Sequence, residues 1–126
     1  MKGVLVDTSV WVDHFRKQNN ALTDLLELDL VMAHPLVVGE IACGTPPHRI
    51  QTLTDLGSLQ QTQLASVREV MDFIERERLF GAGCGLIDLM LLASTLITPG
   101  TELWTLDKRL SGLADRFGVM HRSTLH

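Results

Sequence analysis

Tyrosine is absent from the chain, and its other aromatic side chains are four phenylalanines and two tryptophans. Proteins that hold single strands by base stacking need exposed aromatic platforms, whereas Trp11 and Trp104 both fall in apolar, core-like stretches. Cysteine is nearly as scarce. Cys43 and Cys84 have neither a CxxC spacing nor a neighbouring histidine, which argues against a disulfide framework or a zinc site, and both are expected to be small buried residues. No stretch approaches the roughly 18 apolar residues of a membrane span. Met1-Lys2-Gly3 is followed by only three apolar residues before Asp7, too few for a signal peptide, so a cytoplasmic location is expected. Basic residues are the minority, 11 against 15 acidic, for a net charge of -4. Such a chain has no overall positive field, so a polyanion would have to be met by a local basic patch or through a bound cation. Internal repeats, low-complexity segments and linkers are also missing.

What remains is 126 residues that are 45% hydrophobic, enough for one domain over 1–126 with a real core. The apolar surplus weakly favours a homo-oligomer. Apolar strand patterns at 4–6, 30–33, 60–64 and 103–106, with an edge strand at 119–120, alternate with helical patterns at 10–16, 21–28, 35–43, 49–56, 66–79, 86–98 and 108–116. This alternation predicts an α/β fold with a doubly wound parallel sheet of four to five strands flanked by helices. Local signals agree: Pro35 suits a first helical turn, Gly44 and Pro46-Pro47 stop that helix, and Ser66 can cap the clearest amphipathic helix. The inner stripe of that helix is expected to be Val67, Val70, Met71 and Ile74 with the stem of Arg78, and its mixed-charge outer face carries no chemistry.

Four carboxylates stand alone in apolar surroundings. Asp7 ends the first strand and is the only charge between Gly3 and Val12; Thr8 or Ser9 can cap the helix that follows. Taken singly, Asp7 reads equally well as a ligand-binding carboxylate or as a turn residue. Glu40 lies inside an apolar helix expected to be buried, the alternative being an outward-facing position on an incompletely covered face. Asp88 is the one charge of a helix that is apolar all round, and its place in the first turn gains at most about 1 kcal/mol from the helix dipole, too little to explain burial without a partner. Asp107 ends the last main strand. In a doubly wound sheet the C-terminal strand ends face one crevice, which brings Asp7 and Asp107 together, and Glu40 and Asp88 join them if their helices begin there.

Carboxylates gathered in this way need a neutralising partner, and hard oxygen ligands select Mg²⁺ or Mn²⁺. Such an ion suffices for phosphodiester hydrolysis without a nucleophilic side chain. No Ser-His-Asp or Cys-His constellation competes, since His14, His34, His48, His121 and His126 sit at turns, helix ends or the tail and read as structural or exposed. Gly81-Ala82-Gly83-Cys84-Gly85 lacks the spacing of a dinucleotide loop and the lysine of a P-loop; it marks a bend or a close approach.

The segments Asp7-Thr8-Ser9-Val10-Trp11-Val12-Asp13, Gly39-Glu40, Gly85-Leu86-Ile87-Asp88-Leu89 with Leu92-Ala93-Ser94, and Leu103-Trp104-Thr105-Leu106-Asp107-Lys108-Arg109-Leu110 together resemble the PIN-domain ribonucleases, more narrowly the VapC-type toxins of bacterial type II toxin–antitoxin systems. The resemblance spans the whole chain. It implies a Mg²⁺- or Mn²⁺-dependent endoribonuclease, usually a homodimer, inhibited by a VapB-type antitoxin whose C-terminal segment wraps over the active site. Carried over by position, it makes Asp7, Glu40, Asp88 and Asp107 the catalytic quartet, with Asp7, Asp88 and Asp107 on the metal and Thr105 and Ser9 as supporting hydroxyls. Lys108 and Arg109 are the cations best placed to meet RNA phosphate, with solvation of the last helix the equal alternative; Arg16, Lys17, Arg49, Arg76 and Arg78 are rim candidates. Two rival readings are a receiver-type Mg²⁺-binding signalling module and an inert PIN scaffold. Against the first, a single acid ends the first strand and Val119-Met120-His121 has no lysine; against the second stands the intact quartet.

Overall fold

Strand β1 (Gly3–Val6) occupies an inner position in a four-stranded, wholly parallel sheet in which β2 is Val31–Ala33, β3 is Gln60–Gln61 and β4 is Thr101–Trp104. The computed structural model describes residues 3–123. The sheet order is β3-β2-β1-β4, with Leu5 opposite both Met32 and Leu103, and Val6 opposite Trp104. Because parallel strands need crossover helices that cover the sheet faces, β1 is apolar at successive positions, and Val4, Leu5 and Val6 are all buried. The helices are α1 (Thr8–Arg16), α2 (Asn20–Glu27), α3 (Pro35–Ala42), α4 (Arg49–Gly57), α5 (Val67–Glu77), α6 (Leu86–Leu96) and α7 (Lys108–Arg116). The order reverses at β1: the chain leaves toward β2 on one side and returns to β4 on the other. Such a switch point opens a crevice at the C-terminal ends of the two strands, where Asp7 and Asp107 lie.

The expected α/β class and parallel sheet are present, with several local shifts. β4 runs two residues earlier than its pattern, since pairing with Gly3–Val6 fixes its register and Thr105 and Leu106 are needed to turn into α7. Residues 119–120 contribute only a bridge, Leu103 to Met120, although Leu103 N–H donates to the Val119 carbonyl at 2.7 Å. β3 is two residues long rather than five, because Gln63 N–H already turns away to the Thr98 hydroxyl. Helix α1 begins at Thr8, so its cap position is held by Asp7 and not by Thr8 or Ser9.

Ser66 caps α5 through a full capping box with Glu69. The buried stripe of α5 is Val70 and Phe73 with Ile74 behind them, while Val67 and Met71 are each 53% exposed and Arg78 ends the helix in a left-handed conformation. Docking on α6 selects the Phe73 side, where that ring also meets Phe117 in a tilted contact with centroids 5.3 Å apart. Both cysteines are free, but Cys43 is exposed and Cys84 only half-buried, since each lies beside a helix terminus at the surface.

His34 closes β2 onto α3. It is buried, and its Nδ1 accepts from Leu36 N–H at 3.1 Å, capping α3 where Pro35 opens it. The proton must then sit on Nε2, which donates to Ser94 Oγ of α6 at 3.1 Å. Burial pushes the His34 pKa below its ordinary value. His126 and the other residues at 1–2 and 124–125 lie outside the described part of the chain.

Candidate active site

Asp7 is buried at the end of β1. It occupies the N-cap position of α1, yet its side chain makes no capping bond. Both bonds to the carboxylate come from hydroxyls and both reach Oδ2, from Ser9 Oγ at 2.8 Å and Thr105 Oγ1 at 2.7 Å. The two hydroxyl oxygens are 3.3 Å apart, but each has only one proton, and that proton is committed to Asp7. Oδ1 carries no hydrogen bond among the described residues.

The same hydroxyls fasten the loop that carries Asp107. Thr105 Oγ1 accepts from Asp107 N–H at 3.1 Å, and Ser9 Oγ accepts from Leu106 N–H at 3.0 Å. Asp107 then caps α7: its Oδ1 accepts from Arg109 N–H at 2.9 Å and Leu110 N–H at 3.0 Å. Its second oxygen is left over, so Asp7 and Asp107 are each held by one oxygen and open at the other.

Glu40 does not fit the expectation of burial. Only Val37 and Ile41 of α3 are buried, and Glu40 faces out, its Oε1 accepting from Thr8 Oγ1 at 2.9 Å. This bond returns it to the start of α1, next to Asp7. Asp88 sits in the first turn of α6, half-buried. Its carboxyl pKa is pushed above the ordinary value, first by desolvation and then by the charges of Asp7 and Asp107, with a smaller push from Glu40 and an opposing hydrogen bond from Gly85. All four acids therefore share one electrostatic neighbourhood.

That neighbourhood is not a closed coordination shell. Among the described residues no three carboxylate, imidazole or thiol groups already converge on one point. The donor set itself suits a hard cation: carboxylate oxygens, two of them unbonded, with the half-buried Asp88 carboxyl near enough to feel the charges of Asp7 and Asp107.

Of the basic residues, Lys108 is exposed at the start of α7 and makes no bond among the described residues. Arg109 is exposed too, but its Nη1 donates to the Gly83 carbonyl at 3.4 Å. Arg49 is occupied on the carbonyls of Ala42 and Gly44, and Arg76 lies over the Phe73 ring and beside Glu77. Arg16 lines a hollow of about 400 Å³ that begins at Thr8 and Glu40. The Gly81 to Gly85 loop was legible only as a close approach, and Arg109 is what approaches it.

The PIN domain family model matches residues 4–116, a span that includes all four acids. The chain belongs to the PIN domain family. Within it, the chain is similar to Ribonuclease VapC32 of Mycobacterium tuberculosis, in strain CDC 1551 / Oshkosh and in strain ATCC 25618 / H37Rv. Each is 40% identical over 116 residues, covering 92% of this chain and 94% of the relative. This membership leaves no place for a receiver module.

Proposed function

We propose that the protein is a Mg²⁺- or Mn²⁺-dependent endoribonuclease, a toxin that hydrolyses RNA phosphodiesters and is restrained by a VapB-type antitoxin. The observation that carries the reading is the pair of carboxylates joined through Thr105 at the paired ends of β1 and β4: among the described residues Asp7 is bonded only through Oδ2 and Asp107 only through Oδ1, each with its other oxygen open. The 40% identity to a relative named as a ribonuclease supports the substrate class.

In this reading Asp7, Asp88 and Asp107 hold the cation and Glu40 completes the catalytic quartet. The chemistry such a cation would supply when held there is a lowered pKa for the attacking water and an offset to charge on the phosphate. Ser9 and Thr105 orient Asp7 by donating to Oδ2, which leaves Oδ1 open toward the cation. Glu40, with Oε1 tied to Thr8, would take the proton of the attacking water on Oε2 as the water oxygen bonds to phosphorus, and the ribose oxygen whose bond to phosphorus breaks would leave and take a proton from solvent. Lys108 meets phosphate and positions the strand without reading its sequence.

Two adjoining hollows of about 740 and 400 Å³ share Phe15 and Pro47 and end at Glu40, offering room for the antitoxin's C-terminal segment. Exposed Val67 and Met71 support a homodimer, and no helix among the described residues is long and apolar enough to cross a membrane. We place the protein in the cytoplasm as one domain over 1–126. The test is cleavage of total RNA by the purified protein with Mn²⁺ or Mg²⁺, with EDTA, and with Asp88→Asn. Discrete fragments lost with both chelator and substitution are the expected result. A metal-independent activity, or none with any RNA pool, would replace this reading with contamination or an inert scaffold.

A further inference from the structure

Arg109 belongs to the helix that Asp107 caps, while its side chain lies on the loop that leads to Asp88. The backbone N–H of Arg109 donates to Asp107 Oδ1, and the guanidinium Nη1 reaches the Gly83 carbonyl. Contact with the loop is closer than that one bond implies. A Cβ placed on Gly83 would stand 2.7 Å from Arg109 Cδ, 3.0 Å from Nε and 3.1 Å from Nη1, so the outer part of the Arg109 side chain occupies the space that a side chain on Gly83 would need. Gly83 also adopts φ +87°, a conformation that side chains resist. Two residues on, Gly85 caps α6, whose first turn carries Asp88.

We infer that Arg109 is a positioning residue, a clasp between the start of α7 and the Gly81 to Gly85 loop that fixes Asp88 relative to Asp107, and is not a phosphate ligand. This deepens the ribonuclease reading and rests on it for its functional meaning. The division of labour between neighbours follows from their surroundings: Lys108 makes no bond among the described residues, and Arg109 is engaged. A planar guanidinium on a long stem suits the role, because it can cover the glycine face and bond the carbonyl beyond it; lysine has no such fork.

Three variants, Arg109→Ala, Arg109→Lys and Lys108→Ala, are compared with the wild type in three measurements on the intact chain. These are Mn²⁺ binding by calorimetry, amide hydrogen exchange across 79–88 without metal, and binding of a non-cleavable single-stranded oligonucleotide as salt is varied. Both Arg109 variants are expected to exchange faster in the loop and to bind Mn²⁺ about tenfold more weakly, the usual cost of losing a residue that orients ligands. Their salt dependence should match the wild type. Lys108→Ala should leave exchange and Mn²⁺ binding unchanged and reduce the salt slope by about 0.7, one phosphate contact on a single strand. If Arg109→Ala instead lowers the salt slope while exchange and Mn²⁺ binding stay at wild-type values, Arg109 is a phosphate ligand and the clasp is refuted. Should the wild type bind neither oligonucleotide nor Mn²⁺, the ribonuclease reading fails, and loop exchange alone still decides whether the clasp exists.

Discussion

The hydroxyl of Thr105 donates to Asp7 Oδ2 at 2.7 Å, joining residues 98 positions apart across the paired ends of β1 and β4. The same oxygen accepts from the backbone of Asp107. One hydroxyl thus links two of the acids, and both Thr105 and Asp7 are buried. Thr105→Ala should lower stability by about 1 to 3 kcal/mol, the cost of losing one bond to a charged carboxylate and of leaving the Asp107 N–H without its acceptor, while Ser9 still bonds Asp7 Oδ2. Thr105→Ser, which keeps the hydroxyl, should recover most of it. Thermal melts of the metal-free protein check the pair, and equal melting temperatures for all three proteins would show that the hydroxyl is idle.

Asp88→Asn should abolish cleavage while leaving the metal-free fold as stable as the wild type or more so. Desolvation and the charges of Asp7 and Asp107 raise the Asp88 pKa, which means its ionised form is disfavoured in the fold. At neutral pH the substitution removes that repulsion. For the wild type the penalty fades as pH falls through the raised pKa. A large loss of melting temperature in the variant would mark Asp88 as structural.

Added Mn²⁺ at about a hundred times its Kd should stabilise the folded wild type by about 2.7 kcal/mol, because an ion that binds only the native state shifts the unfolding equilibrium. Asp88→Asn should lose most of this gain. A melting temperature indifferent to Mn²⁺ would contradict metal binding at the acid cluster.

His34 makes the fold sensitive to mild acid. Burial lowers its pKa, and Nδ1 cannot both accept from Leu36 and carry a proton. The unfolded chain therefore takes up protons first as pH falls below about 6.5, and stability drops from there toward the lowered folded pKa. His34→Asn keeps a side-chain cap for α3 without a titrating ring. It should be less stable at pH 8 for want of the Ser94 bond, yet its stability should vary less between pH 7 and 5. Denaturant melts at these pH values provide the check.

The isolated acids were legible because a single charge in an apolar run is conspicuous, whatever the fold. Asp7 and Asp88 lie at the ends of elements drawn from hydrophobic pattern, and those elements formed with boundary shifts of a few residues. Glu40 was also conspicuous, but the reason given for it failed: α3 is half covered, so its carboxylate reaches the site by facing out. Helix α5 failed differently. Val67, Val70, Met71 and Ile74 make a plausible stripe, and so do Val70, Phe73 and Ile74; periodicity ranks them alike, and only packing on α6 chooses. Cys43 was expected inside because cysteine is usually buried, a tendency that says nothing of a residue just past a surface helix.

The sequence by itself determined where the charges stand along each element, which helices carry their own caps, as Ser66 and Glu69 do, and that strands alternate with helices closely enough to demand a parallel sheet. Tertiary structure decided what those charges meet. Thr105 finds Asp7 because β4 pairs with β1 in the register that sets Val6 opposite Trp104, and Arg109 lies on Gly83 because α6 and α7 pack together. A hydrogen bond of 2.7 Å depends on the relative placement of two distant segments to within a fraction of an ångström. That placement comes from strand pairing and core packing, to which no local stretch of sequence has access.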